Sequence, residues 1–507
     1  MKTRYPSNND AVAAIFEAGT DVDCGSFMKQ NVMNAINNGS IAVADLDARL
    51  LSQFRVRLRL GHFDAPSAVS TIGAKDLCTA DAQELARDGV RQSVVLAKNL
   101  GATLPLGPAG GFQRAVVIGP NAVLNDTIRY YGSAPCNGTM WRPIDAVQQH
   151  IPAAQAILGV PSVSSPDQSG VAAAAAAAAA ADLVILTIGM DRSVETEGRD
   201  RTNISFSDAQ LALIAAVSAA APAGVPVVAM VFSGGAMDVS PLLSNPRIGA
   251  VLVCGQPSVQ VVGAVDVLFG RTLDGRAVAP AGRMSQMTYP ADYVNQVSIL
   301  DFGMRPGASP FPPGTNPGRT YRFFTGTPVL PYAFGLSYTT WQYTPVPGPA
   351  PPVAAAAAGA AGAATTAADA FGGAISLARV RAAAEAHARG GVVGHVPRGL
   401  KDVAADFYVN VTNTGAVDSD DVVVGFLVPP GAGQGGVALQ ELFGFERVFV
   451  PAGQTVTVYL GAQGVRFTQT GADGVRRFLP GEYGVRFGVR ETAAHGMGFA
   501  ERTLLVE

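Results

Sequence analysis

Two rhythms of hydrophobic and polar positions divide the chain. Over residues 8–62 apolar side chains recur three and four apart: Ala11, Val12, Ile15 and Phe16 follow Asp10, and Leu46, Leu50, Phe54 and Leu58 fall on one face of 43–60. That spacing predicts helices, with Gly19 as a stop after the first and a further helix over 27–37. The piece between them, Thr20–Cys24, is short and apolar. Residues 81–92 continue as a helix and run into the strand-like Ser93-Val94-Val95-Leu96. From 113 to 342 the pattern becomes one of short, wholly apolar runs alternating with helical stretches. The runs are Ala115–Gly119, Leu183–Gly189, Val225–Phe232 and Ala250–Val253; the helices are 171–181, 211–221 and 259–269. Strands covered on both faces lose the polar half of their alternation, so this stretch predicts an α/β sandwich around a mostly parallel sheet.

A third pattern begins near residue 404. Phe407–Val411, Val422–Leu427, Phe443–Val450, Thr455–Leu460 and Tyr483–Phe487 are short β-branched and aromatic runs. Asn413-Thr414-Gly415, Pro451-Ala452-Gly453 and Pro480-Gly481 separate them as turns. Several such strands in about 100 residues predict a β-sandwich. Between the second and third patterns lie proline-rich 345–352, the nearly pure Ala/Gly/Thr tract 354–368 and a potential amphipathic helix at 375–389, together a linker or surface insertion.

Composition narrows the function. With 507 residues, 48% hydrophobic and 15% charged, the chain has material for about three cores. Thirty-six Lys and Arg against 39 Asp and Glu leave a net charge of −3, which excludes a nucleic-acid binder living on phosphate contacts. No apolar run reaches the ~20 residues of a membrane span, because Asp182 interrupts 171–190. The first residues lack the apolar core of a signal peptide, yet five Asn-x-Ser/Thr sequons, at Asn38, Asn125, Asn137, Asn203 and Asn410, point to a secreted glycoprotein. The four cysteines form no zinc pattern and allow up to two disulfides or four buried thiols.

The most polar cluster beside an apolar strand is Asp191-Arg192-Ser193-Val194-Glu195-Thr196-Glu197-Gly198-Arg199-Asp200-Arg201. It follows a strand at the end where α/β sheets present loops to ligands. Two glutamates among arginines offer a proton donor with an orienting partner, and equally a solvated ion-pair loop. The five histidines are scattered, Ser233-Gly234-Gly235 reads as a tight turn, and neither a P-loop nor GxGxxG is present.

Several motifs run in the order seen in glycoside hydrolase family 3: Ala18–Gly25, Val94–Asn99 with Leu104-Pro105-Leu106, Val117–Asn121, Glu195–Arg201, Gly318–Phe323 and Phe334–Thr339. The variant resembles the plant and fungal β-xylosidase / α-arabinofuranosidase branch, and Phe443–Arg447 with Leu479–Tyr483 resembles the fibronectin-III-like domain that closes many of these enzymes. The resemblance implies an α/β multidomain chain. Residues 1–75 would be a remnant of a (β/α)8 barrel, 76–343 the α/β sandwich, 344–403 the linker or insertion and 404–507 the fibronectin-like domain. It implies retaining hydrolysis of xylo- or arabinoxylo-oligosaccharides, with neither metal nor cofactor, in an extracellular or cell-wall setting. Glu195 takes the general acid/base role, with Glu197 the fallback. Asp200 and Arg201 support that loop, Tyr131 supplies an aromatic wall, and Asp21, with Asp23, is a strand-end residue facing the sugar.

The family's nucleophile aspartate lies upstream of the segment that Asp10–Gly25 resembles, so the expectation is that this chain holds no nucleophile. It would then be a truncated half-site, inactive alone and poorly soluble for its uncovered helix faces. The alternative expectation is a non-catalytic remnant binding carbohydrate or protein. The Gly255-Gln256-Pro257-Ser258 run and residues 274–283 depart from the family's pattern.

Overall fold

A computed structural model describes residues 5–65, 71–107, 111–124, 135–138, 140–347, 403–471 and 473–507. The chain divides into two compact units, Met1–Thr79 and Ala80–Glu507.

The first unit is helical. α1 (Asn8–Glu17) starts two residues before Asp10, because the Ser7 hydroxyl accepts the Asp10 N–H at 3.2 Å and so caps the first turn. Gly19 closes it at φ +83°. α2 (Phe27–Asn37) and α3 (Val43–Arg59) follow, and Val12, Phe16, Ala35 and Ile41 form a small core. The expected strand end at 20–24 is not formed. Its two acids serve the helices instead: Asp23 accepts the Met28 N–H at 2.9 Å in the first turn of α2, and Asp21 pairs with Arg49 of α3 at 3.3 Å. No strand occurs among the described residues of this unit, and an isolated strand has no ladder to stabilise it. α3 buries none of its residues, leaving Leu51, Val56 and Leu58 more than half exposed.

The second unit opens with α4 (Ala80–Ser93) and β1 (Val95–Asn99). Then come β2 (Ala115–Ile118), α5 (Pro143–His150), β3 (Gln155–Ile157), α6 (Val171–Ala180), β4 (Leu183–Gly189) and α7 (Asp208–Ala220). β5 (Val227–Phe232), α8 (Ser240–Leu243), β6 (Ala250–Gly255) and α9 (Val262–Phe269) complete the layer. The sheet order is β1-β6-β5-β4-β2-β3, parallel except for β1, which pairs antiparallel to β6. Every residue of β4 and β5 is buried, as doubly covered strands require. The alternation legible in the chain thus forms the mostly parallel sheet.

A short hairpin, β7 (Gly307–Ala308) with β8 (Thr315–Asn316), precedes a two-sheet sandwich. One sheet is β13 (Thr455–Gln463), β10 (Val403–Asn413) and β9 (Trp341–Val346). The other is β12 (Glu441–Val450), β11 (Ser419–Val428), β16 (Gly481–Gly488) and β17 (Phe499–Val506), with β14 (Thr468–Thr470) and β15 (Arg476–Phe478) a separate ribbon. Phe407 of the first sheet meets Phe443 and Phe487 of the second at centroid distances of 5.1 and 6.2 Å, so the inner faces share one core. β9 lies before the Ala/Gly-rich segment and pairs across it with β10, so the expected boundary at 343/344 runs through a strand. The potential helix at 375–389 lies outside the described residues.

The α/β layer and the sandwich are joined by a buried charge. Asp421 of β11, without solvent exposure, accepts from the Arg283 guanidinium, from the Tyr343 hydroxyl at 2.6 Å and from the Val422 N–H at 2.9 Å. Of the four cysteines, Cys78 and Cys136 are disulfide-bonded; Cys24 is a free exposed thiol and Cys254 a free buried one.

Candidate active site

β4, β5 and β6 run parallel and end side by side, and the segment after each contributes to one pocket. β4 stops at Gly189, where φ is +134° and an added Cβ would sit 2.0 Å from the Phe232 carbonyl oxygen of β5. Only glycine lets the two strands approach so closely at that angle. Gln210, fully buried on α7, clamps the same residue. Its Oε1 accepts the Gly189 N–H at 2.9 Å, while Nε2 donates to the carbonyls of Gly189 at 2.9 Å and Val163 at 2.8 Å. The point where the loop leaves the sheet is therefore fixed by backbone and side chain together.

The loop then folds on itself. Buried Asp191 accepts the Ser193 N–H at 2.8 Å, and the Arg199 guanidinium donates to the Ser193 carbonyl. Thr196 and Arg199 exchange backbone bonds of 3.3 and 2.9 Å around Glu197-Gly198, with Gly198 at φ +77°. This turn aims the two glutamates differently. Glu197 is exposed at the tip. Glu195 is half-buried in the pocket wall, where one oxygen accepts the Gly234 N–H and the other lies 3.0 Å from Arg201 Nε. Arg201 in turn donates to the Ala236 carbonyl at 2.9 Å.

The pocket has a volume of about 510 Å³, and Glu195, Asp200, Arg201, Gly234, Gln256 and Ile299 line it. A carboxylate held at both oxygens, by a backbone N–H and a guanidinium, has a fixed orientation toward a ligand atom in that space. It is equipped to deliver or remove a proton there. Arg201 lies in the pocket between Glu195 and the Ala236 carbonyl, and Asp200 is exposed in the same pocket. Asp21 belongs to the helical unit and pairs with Arg49. Tyr131 lies outside the described residues. Among the described residues no group of three or more His, Cys, Asp or Glu is placed to hold a metal. Burial pushes the Cys254 thiol up, which makes it a poor nucleophile.

Two contributors escaped the sequence reading. Gly234 follows β5 and Gln256 follows β6, each on a different strand end from Glu195. Extending the strand-end rule from one loop to its neighbours in a parallel sheet is the signal that finds them. At Gly235 an added Cβ would stand 2.6 Å from Arg201 Nη2, the far end of a flexible side chain that would have to shift. Gly235→Val is therefore expected to drive Arg201 off Glu195, beyond the ~4 Å of an ion pair. A structure of the variant that keeps the present 3.0 Å separation would remove Gly235 from this role.

Residues 94–338 match the glycosyl hydrolase family 3 C-terminal domain. Over 493 residues the chain is 33% identical to a probable exo-1,4-β-xylosidase of Aspergillus fumigatus, covering 95% of this chain and 56% of that protein. Over 485 residues it is 30% identical to β-D-xylosidase 1 of Arabidopsis thaliana, covering 94% and 58%. The chain thus spans a little over half the length of these curated relatives. A solved family 3 exo-β-xylosidase carrying a xylobiose aziridine probe superposes with a TM-score of 0.79 at 25% identity, over 99% of this chain and 58% of that one. A Listeria innocua β-glucosidase, at 18% identity and TM-score 0.69 over 99% of this chain and 60% of that one, shares the fold.

Proposed function

We propose, from the premise that this chain belongs to glycoside hydrolase family 3, that it supplies the proton-transferring half of a β-xylosidase site. The observation that carries this reading is Glu195, anchored by the Gly234 N–H and Arg201 and facing an open pocket at the strand ends. In a retaining mechanism such a carboxyl group protonates the departing glycosidic oxygen. It then deprotonates the water that releases the sugar from a second carboxylate, ~5–5.5 Å away. The substrate class is xylo- or arabinoxylo-oligosaccharide, supported by the β-xylosidase relatives and by the xylobiose probe held by the solved one. The second carboxylate belongs to the barrel implied by the family resemblance. Glu197, exposed at its turn, is the weaker candidate for proton transfer.

The two sheets holding β9 to β13 with β16 and β17 form a fibronectin type III-like domain, supported by their three- and four-strand pairing. An extracellular or cell-wall setting is supported by the disulfide-bonded Cys78 and Cys136 and by sequon asparagines Asn38 and Asn203, both exposed.

The test uses an aryl β-xyloside. The 507-residue chain alone is expected to show no turnover, because one carboxylate cannot carry out double displacement. Joined behind the barrel portion of the Aspergillus relative, it is expected to turn the substrate over. Hydrolysis by the chain alone that vanishes with Glu195→Gln would overturn the division of labour. A folded but inert fusion would overturn the glycosidase reading.

A further inference from the structure

A second pocket, of about 480 Å³, opens between residues 304–323 and the sandwich, and its charge is unbalanced. Among the described residues, Arg305, Arg322, Arg466 and Arg476 line it, with Glu441 as the one acidic side chain. Glu441 is shared: Arg322 Nε lies 2.7 Å from one oxygen and Arg466 Nη1 lies 3.1 Å from the other. Arg305 is held by carbonyls, donating to Gly436 and Thr470 at 2.9 Å each, and Arg476 is exposed. Four guanidiniums against one carboxylate leave three positive charges in excess within a concave space. Such a surplus repels itself unless an anion enters, and planar guanidinium forks match a carboxylate. Three of the four are already fixed in place, so an entering anion would find its donors pre-arranged.

The neighbouring segment says what carries the anion. Ile299 lines the Glu195 pocket, and Arg305 lines this one. Five residues lie between them, six Cα–Cα steps, so the two pockets' walls stand no more than about 22 Å apart along the chain. Between them Leu300 and Phe302 project into solvent, 58% and 88% exposed. Arg319 holds the segment through the carbonyls of Ser298 at 3.3 Å and Asp301 at 2.6 Å. A rigid track with an exposed aromatic ring, leading from the proposed cleavage pocket to a cationic one, suits a short saccharide.

We propose that the arginine pocket binds a carboxylate-bearing saccharide, a hexuronic acid attached to a short xylo-oligosaccharide. The saccharide half of this assignment rests on the glycosidase reading; the anion half does not.

Calorimetric titration of the full chain tests it with four probes: an aldobiouronic acid (xylose carrying a hexuronic acid), neutral xylobiose, free glucuronate and inorganic phosphate. The acidic disaccharide is expected to bind about tenfold or more tightly than xylobiose, a gap that narrows as salt rises. Arg476→Ala, an exposed substitution, should remove most of that gap. Phe302→Ala should weaken the disaccharide and leave glucuronate unchanged. Equal affinity for the acidic and neutral disaccharides would overturn the proposal, as would no binding by any probe. Phosphate or free glucuronate binding as well as the acidic disaccharide would overturn the saccharide assignment. Glu195→Gln, in the other pocket, should leave free glucuronate's affinity unchanged. A preference for the acidic sugar in a chain whose barrel fusion is inert would keep this site while removing the glycosidase reading.

Discussion

Glu195→Gln, in the chain joined behind a family 3 barrel, is expected to lower hydrolysis of xylobiose by about 10²- to 10⁴-fold, the range a positioned general acid/base supplies. The amide keeps the shape of the side chain and can still accept the Gly234 N–H. It loses the proton that an unactivated sugar leaving group needs, and it loses the ion pair with Arg201. An aryl xyloside with a good leaving group needs less protonation, so its first step should fall far less. With the aryl xyloside, azide, which attacks the glycosyl intermediate without a base to deprotonate it, should restore much of the lost rate. Glu197→Gln is the control; Glu197 sits exposed at the turn tip and should change turnover by less than about tenfold. Steady-state kinetics on both substrates checks all four expectations. A Glu195→Gln loss below about tenfold on xylobiose would transfer the role elsewhere.

The second large effect concerns stability. Asp421→Ala is expected to destabilise the second unit by about 3–5 kcal/mol, the cost of leaving a buried charge without its partner. The aspartate has no solvent exposure, and its removal strands the Arg283 guanidinium and the Tyr343 hydroxyl together. Replacing both charges, Arg283→Leu with Asp421→Leu, should cost much less than either single change, since no orphan charge remains. Denaturant unfolding followed by intrinsic fluorescence measures this, because Trp341 and Tyr343 lie on the strand next to the junction. A loss below about 1 kcal/mol for Asp421→Ala would show that Arg283 finds another partner.

What could be read from the chain follows from how its elements are stabilised. The parallel layer was legible because β4 and β5 are buried on both faces, leaving runs such as Leu183–Gly189 with no polar member. β9 was missed since it contains Pro345, a residue that lowers a strand's standing. It is tolerated because β9 lies at the edge of its sheet. β17, Phe-Ala-Glu-Arg-Thr-Leu-Leu-Val, alternates too weakly to announce itself and is held by its ladder with β16. Thr20–Cys24 looked like a strand end by register with a family motif, yet a strand needs neighbours, and its acids found helix partners instead.

The site divides the same way. Glu195 and Arg201 stand six residues apart in one loop, so their partnership was visible in sequence. Gln210 was not, because a lone glutamine within an apolar helix shows its purpose only when the Gly189 peptide lies against it. Gly234 and Gln256 come from separate strands and are joined to Glu195 only by the sheet order.

In the proposed mechanism Glu195 faces the bond to be cleaved. A crystal structure of the barrel fusion with a non-hydrolysable xylobiose analogue tests it directly. A Glu195 carboxyl oxygen is expected within about 2.6–3.2 Å of the atom replacing the glycosidic oxygen. An analogue whose linking atom meets Glu197 or Asp200 instead, or lies outside the pocket bounded by Gly234 and Gln256, would contradict it.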